Sequence, residues 1–374
     1  MRVPASSEQS LTVADLIAWD VAERVAVRVG SLRDPLAGYV PSGSSAPAAV
    51  EADFAELTAV AEIRVSAVTG LHSAAGPARA KVCDRAGWVH ANIASFQRLL
   101  APVASKLGAA NVPPALRPVS RGAAGLQMGL LLGWMSGRVL GQYDLLLTEE
   151  ADADDQDIVY FVGPNVVAME RRYGFAPRQF RLWLALHEVT HRMQFTGVPW
   201  LRAYFLSLVD DVVSSMETDP RHLVEALRRA VAEIRAGRNP LEESGIAGLV
   251  AGSAQRAAIG RVQALMSLLE GHGDVTMDRA GADEIPGAAR FGAVLRQRRR
   301  KVGGAAKLLR QAVGIESKLR QYEQGERFIA AVEAAGGPEL LSRVWQGPQW
   351  LPSLDEIGAP ATWVDRVRTA VAAD

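Results

Sequence analysis

The chain has 374 residues, 49% of them hydrophobic, which is enough for one large or two ordinary domains with a substantial core. Lysine plus arginine equals aspartate plus glutamate at 41 each, and this zero net charge gives no reason to expect nucleic acid or an anionic membrane as a partner. Cys83 is the only cysteine, which excludes an intrachain disulfide and a thiolate zinc site.

Ser6, Ser7, Glu8 and Gln9 precede an amphipathic segment and lack the charged start and apolar run of a signal peptide, so a reducing, cytoplasmic setting is expected. Residues 11–30 predict a helix, with Leu16, Ile17, Val21, Val25 and Val29 at helical spacing. Gly38 to Ala48 reads as a loop. A second helix is expected over Ala49 to Thr69, with Glu51 and Asp53 near its positive end. Leu71 to Pro77 breaks it, Arg79 to Leu107 reads as helix again, and Pro113, Pro114 and Pro118 close this section.

From Gly122 to Gly141 glycines recur at 125, 129, 133, 137 and 141, with Leu130, Leu131, Leu132, Trp134 and Met135 between them. On a helix they form a smooth stripe that lets another backbone approach closely. The apolar run is only about 17 residues long and contains Gln127, short of the roughly 20 that a membrane span needs, so a buried helix of a soluble protein is expected. Tyr143 to Thr148 and Asp157 to Val162 are strand candidates, joined as a hairpin by the acidic linker Glu149 to Asp157. The second is expected at a sheet edge, where it could take an extended peptide by strand addition. Gly163-Pro164-Asn165 reads as a turn and Val166 to Tyr173 as a short helix.

Pro177 to Gly197 then predicts a helix of about five turns, opened by Pro177 and stopped by Gly197 and Pro199. Its second half carries His187-Glu188-Val189-Thr190-His191, a HExxH pentapeptide. Histidines four apart share a helix face a turn from each other, with the glutamate beside them, which is the geometry of a zinc site with a base next to it. The plain alternative is two partly buried histidines packed on a helix. Beyond Pro199 helices are expected over Leu201 to Met216, over Pro220 to Ala236 with Asp219 as N-cap, and from about Ala254 to Ala280, with a loop around Arg238-Asn239-Pro240. Arg296 to Lys301 is a basic cluster that reads as a solvated helix face, and Trp345, Trp350 and Trp363 read as a packed cap.

Two histidines do not complete a catalytic zinc site, so a third ligand must come from another His, Asp or Glu. The extended pattern with a third histidine six residues on fails, because position 197 is glycine. Glu270-Gly271-His272-Gly273-Asp274 lies in a helical run, and Glu270 and Asp274, four apart, share a face. This suits one carboxylate on the metal and a second accepting the N–H of a ligand histidine. His272 points away from them on a regular helix and stands as an alternative ligand or oxyanion donor, or as a structural residue.

HExxH followed by ExxxD on a later helix resembles the gluzincin arrangement of zinc metallopeptidases. LWLALHEVTHRMQF with VPWLR after it, MSLLEGHGDVTMDRAG and GIESKLRQYEQGERF resemble a zincin-like family of candidate hydrolases, common in actinobacteria and described as associated with deazaflavin coenzyme biosynthesis. The resemblance runs from about Ala14 to Val367. It implies an α+β, predominantly α, zincin-like metallopeptidase fold with a small β-sheet beside the HExxH helix. It implies Zn2+ held by His187, His191 and Glu270, Glu188 as general base and Asp274 as the outer partner of a histidine, and it brings no substrate; a soluble zinc hydrolase acting on a peptide or small amide is the expectation built on it. Peptidases of this mechanism use a Tyr or His donor to the oxyanion, and Tyr322, in KLRQYEQG with Lys318, is the candidate, with an ordinary helix surface as its alternative. Without internal repeats or a low-complexity linker, residues 1–374 are expected to form a single unit. Its sub-regions are 10–142 (helical), 143–199 (sheet plus HExxH helix) and 200–374 (helical, with the third ligand). The rival readings are a non-catalytic binding or regulatory protein on the same scaffold, with a structural or vestigial zinc, and an assembly or membrane-associated protein using the glycine stripe.

Overall fold

A computed structural model describes residues 16–32, 46–107, 117–144, 157–215, 252–300 and 315–373. In chain order these form α1 (Trp19–Leu32), α2 (Ala46–Thr69), β1 (Arg79–Cys83), α3 (Arg85–Leu107), α4 (Arg117–Ser136), β2 (Gly141–Tyr143) and β3 (Ile158–Val162). There follow α5 (Gly163–Tyr173), α6 (Pro177–Gly197), α7 (Leu201–Ser214), α8 (Ser253–Ala280), α9 (Ala288–Arg300) and α10 (Ile315–Ser342). Two short 3-10 turns and the helices α11 (Leu354–Gly358) and α12 (Pro360–Ala373) close the chain. The protein is thus α+β and predominantly α, as expected. The predicted helix over Pro220 to Ala236 with Asp219, the loops at Gly38 and Arg238, Pro113, Pro114 and most of the acidic linker lie outside the described residues.

The sheet has the order β1-β3-β2, with β1 parallel and β2 antiparallel to β3. All five residues of β3, IVYFV, are buried, the continuous apolar run of a strand covered on both faces. β3 is therefore central and not an edge: Ile158 pairs with Arg79 on one side, and Val159 with both Ala80 and Tyr143. With both backbone edges occupied it cannot take a peptide by strand addition, which overturns that expectation. β1 was expected to be helix. Its five residues, Arg-Ala-Lys-Val-Cys, carry two charges and little local preference, and pairing with β3 decides their state. The helix starts only after Asp84, whose carboxylate accepts the Gly87 N–H at 2.7 Å.

Three further boundaries differ from expectation. α1 begins at Trp19, and the N–H of Ala18 just before it is bonded to the Arg121 carbonyl of α4 at 3.1 Å. Pro118 opens α4 where it was expected to close the preceding section, in the first turn, where a missing N–H costs nothing. Gly163-Pro164-Asn165 is the first turn of α5. The Asn165 side chain does not bend its own backbone. It donates to the Ser136 and Val139 carbonyls, both at 2.7 Å, and accepts from Arg85 Nε at 2.8 Å.

The glycine stripe packs α4 on α1. A Cβ on Gly125, Gly129 or Gly133 would lie 2.5–2.7 Å from the Ala18, Ala22 or Ala26 carbonyl oxygen, so the helices touch backbone to backbone. No helix among the described residues is long and apolar enough to cross a membrane.

α6 is the centre of the fold: 14 of its 21 residues are buried, against α2, α8 and the sheet. Phe180, Trp183, Leu184 and Val189 join Phe54, Leu57 and Phe161 in the main core. Two buried arginines fix the helix along its length. Arg181 reaches Glu170 with two bonds of 2.7 and 2.9 Å and Asp53 with one of 2.6 Å. Arg192 bonds Glu62, the Gly76 carbonyl and the Asp157 carbonyl at 2.8–3.1 Å. Around α8 and α10 a second core forms from Leu268, Phe328, Val332, Ile357 and Trp363, and Trp363 Nε1 donates to the Trp350 carbonyl, in keeping with a packed tryptophan cap.

Because Val25 Cβ and the Ala22 carbonyl already occupy the space at Gly129, Gly129→Val should lower stability by about 1–3 kcal/mol through overpacking. Gly122→Ala, with nothing within 4 Å, should be neutral or stabilising by up to about 1 kcal/mol. Urea unfolding of the two variants measures the contrast.

Candidate metal centre

His187 and His191 lie one turn apart on α6 with their Nε2 atoms 3.2 Å from each other. Glu270 comes from the middle of α8, and its Oε2 lies 3.7 Å from His187 Nε2 and 3.6 Å from His191 Nε2. Ligand atoms bound tetrahedrally to zinc at about 2.1 Å stand about 3.4 Å apart, so the three separations outline one face of such a tetrahedron. The donor set, two imidazoles and a carboxylate, also fits zinc. Among the described residues, no other group of three His, Cys, Asp or Glu is close enough to hold an ion.

Each residue of the Glu270–Asp274 stretch has its own place in this geometry. Asp274, one turn after Glu270, brings Oδ1 to 3.4 Å from His187 Nδ1, the outer nitrogen of the first histidine. Gly273 leaves room for both rings: a Cβ there would lie 3.2 Å from His191 Cε1 and 3.4 Å from His187 Cε1. Gly271 faces Gly325 of α10, and a Cβ on Gly271 would fall 2.4 Å from the Gly325 carbonyl carbon. The pair lets α10 close on α8. His272 points away from the cluster, as a regular helix requires. Its ring packs edge-on to Trp345, and its Nδ1 lies 2.9 Å from Gln194 Nε2. Burial, with His191 and Arg279 adding to it, pushes its pKa down to about 3. It is not one of the three clustered donors.

Glu188 is buried beside the two histidines. Gly141 of β2 abuts it so closely that a Cβ there would lie 2.7 Å from Glu188 Cγ, and the Tyr143 N–H donates to its carboxylate. Burial pushes the Glu188 pKa up to about 7, with Glu270 adding to the rise and His191 and the Tyr143 N–H opposing it. The His191 pKa is raised to about 9: burial alone would lower it, but the hydrogen bond and charge of Glu270, then Glu188 and Gln194, outweigh that. The pocket therefore attracts positive charge.

Two contributors escaped sequence reasoning. Gly141 stands in the sequence as the last glycine of the stripe, and its role depends on β2 lying along α6. Gln194, fully buried, accepts from His191 Nδ1 at 3.0 Å through Oε1. The signal for it was present, a polar residue one turn after His191 on a face otherwise committed to the core. Tyr322 belongs to α10, but its side chain and that of Lys318 lie outside the described residues.

A cation bound by His191 must displace its proton. With that pKa raised to about 9, zinc affinity should fall about tenfold for each pH unit below about 9, with a proton released on binding. Chelator competition at several pH values and calorimetry in buffers of different ionisation heat would measure both; an affinity flat between pH 6 and 8 would contradict the charge balance described.

The chain matches the model of the zincin-like metallopeptidases over residues 17–364. It is also similar to a protein from Chloroflexus aurantiacus, described as a candidate hydrolase with a novel fold. That crystal structure superposes with a TM-score of 0.67 at 31% identity, covering 94% of this chain and 99% of the other. Comparison with curated proteins gave no match. The family match spans most of the chain and includes both helices that bring His187, His191 and Glu270 together: this protein belongs to the zincin-like metallopeptidase family.

Proposed function

We propose that the protein is a zinc-dependent hydrolase that cleaves a peptide or small amide bond, with His187, His191 and Glu270 as metal ligands and Glu188 as general base. The observation that carries this reading is the position of Glu188. Its carboxylate is buried beside the clustered donors and held by the Tyr143 N–H, where a proton acceptor has to stand. Bound zinc would supply Lewis acidity, polarising the carbonyl and acidifying a water molecule. Glu188 would take the proton from that water and pass it to the leaving nitrogen. Asp274 would orient His187 through its outer nitrogen, 3.4 Å away.

The three sub-regions would work as one unit. Glu62 of the first and Glu270 of the third both reach the HExxH helix, through Arg192 and through the two histidines. The link to deazaflavin coenzyme biosynthesis adds a context but no substrate chemistry. The zero net charge favours a small or peptidic substrate over nucleic acid. A cytoplasmic setting goes with a single cysteine.

Glu188→Gln should keep one zinc per chain while hydrolysis of a peptide library falls by about 10²–10⁴-fold. A variant as active as the parent, or a parent that binds no zinc, would sink the proposal. The base works only when ionised. Without a metal, burial raises its pKa from 4.5 to about 7, and a bound cation would oppose that rise, so kcat/KM should fall on the acid side of neutrality, at a pH below about 7, and level off above it.

A further inference from the structure

Gln194 is fully buried, one turn after His191 on α6, and all its polar atoms are engaged. One end of the amide lies 3.1 Å from the Leu269 carbonyl oxygen, which can only accept, so this end must be Nε2. The same Nε2 lies 2.9 Å from His272 Nδ1. A donor facing it makes that nitrogen an acceptor, which places the His272 proton on Nε2. With Nε2 committed to two acceptors, the other end of the amide is Oε1, and it lies 3.0 Å from His191 Nδ1. An amide oxygen can only accept, so His191 Nδ1 must carry a proton. In the neutral ring, the form that binds a metal, the nitrogen with the lone pair is then Nε2, the atom that faces Glu270 and His187.

We propose that Gln194 is a positioning residue that makes Nε2 the nitrogen of His191 available to a metal, and that Leu269 and His272 hold its amide the right way round. This rests on the zinc-hydrolase reading and deepens it, because it explains a residue that touches neither metal nor substrate. The two histidines of the pentapeptide would then be oriented by different chemistry, His187 by the carboxylate of Asp274 and His191 by a neutral amide. It also gives the buried His272 a use: as an acceptor it prevents the amide from turning over and presenting its NH2 to His191. Trp345, edge-on at 5.0 Å between ring centroids, fixes the plane of the His272 ring.

The test compares two variants of the full-length protein, Gln194→Met and Gln194→Glu, by zinc affinity in chelator competition and by the visible absorption of the cobalt-substituted form. Met fills the same space without an acceptor. Glu keeps an acceptor for His191 Nδ1 but loses the donor to the Leu269 carbonyl and to His272. A positioning role predicts that Met weakens zinc binding by about 10–100-fold and alters the cobalt spectrum, while Glu stays within about threefold of the parent. A merely structural role predicts the reverse order, because Glu sets a carboxylate against the Leu269 carbonyl whereas Met does not. That order, or equal affinity in Met and parent, overturns the proposal. Should the Met variant fail to fold, Glu decides: retained affinity supports it and a tenfold loss refutes it. A parent that binds no zinc brings down the hydrolase reading and this one together, whereas a parent that binds as tightly as the Met variant brings down this one alone.

Discussion

The close approach of α8 to α6 is the constraint on which the rest of the site depends. Two imidazoles and a carboxylate can meet at 3.2–3.7 Å only if the helix carrying Glu270 passes almost in contact with the histidine rings. Gly273 permits that contact on one side of α8, and Gly271 permits α10 to press from another. A side chain at 271 would collide with the Gly325 backbone of α10, and one at 273 would press on both imidazole rings at 3.2–3.4 Å.

A helix buried on nearly every side must satisfy its polar groups within the protein, because an unpaired buried charge or amide costs several times what its hydrogen bond contributes. α6 does this for its buried arginines and its glutamine, while the buried Trp183 indole N–H has no hydrogen-bond partner. Arg181 binds Glu170 and Asp53, Arg192 binds Glu62 and two loop carbonyls, and Gln194 binds His191 and the α8 backbone. These bonds run to α2, to α5, to the segment before β1 and to α8. The same bonds that satisfy the helix therefore also fix its position relative to the elements that complete the site. β2 adds the last part by laying Gly141 and the Tyr143 N–H against Glu188.

The electrostatics follow from the packing. Glu188, Glu270 and Asp274 crowd around two histidines in a place with little water, so the carboxylate of Glu188 is reluctant to ionise and His191 is reluctant to lose its proton. Each shift expresses the same demand for positive charge, and membership of the zincin-like metallopeptidase family gives that demand a metal. Such a pocket is costly to fold without its cation, which is one reason metal binding and stability are coupled in sites of this kind.

Much of this was legible in the sequence, and what was legible has a common character. The HExxH helix with its proline start and glycine stop, the paired acids four apart on a later helix, and the buried glycine stripe all depend on helical periodicity, a local property of the chain. β3 was found because it is apolar throughout. The sequence could not determine that β3 is the central strand, that Arg79 to Cys83 is a strand, or that Asn165 starts a helix. Those outcomes depend on partners 26 to 80 positions away, such as β3 for β1 and Arg85, Ser136 and Val139 for Asn165. Gln194 and Gly141 belong to the same class, since a glutamine becomes an orienting acceptor and a glycine a gap for a carboxylate only when another element is laid against them. The sequence by itself determined which residues could serve a metal site and on which helix faces they lie. The tertiary structure alone decided which of them meet, because the distance between two helices is set by the side chains missing at their contact as much as by those present.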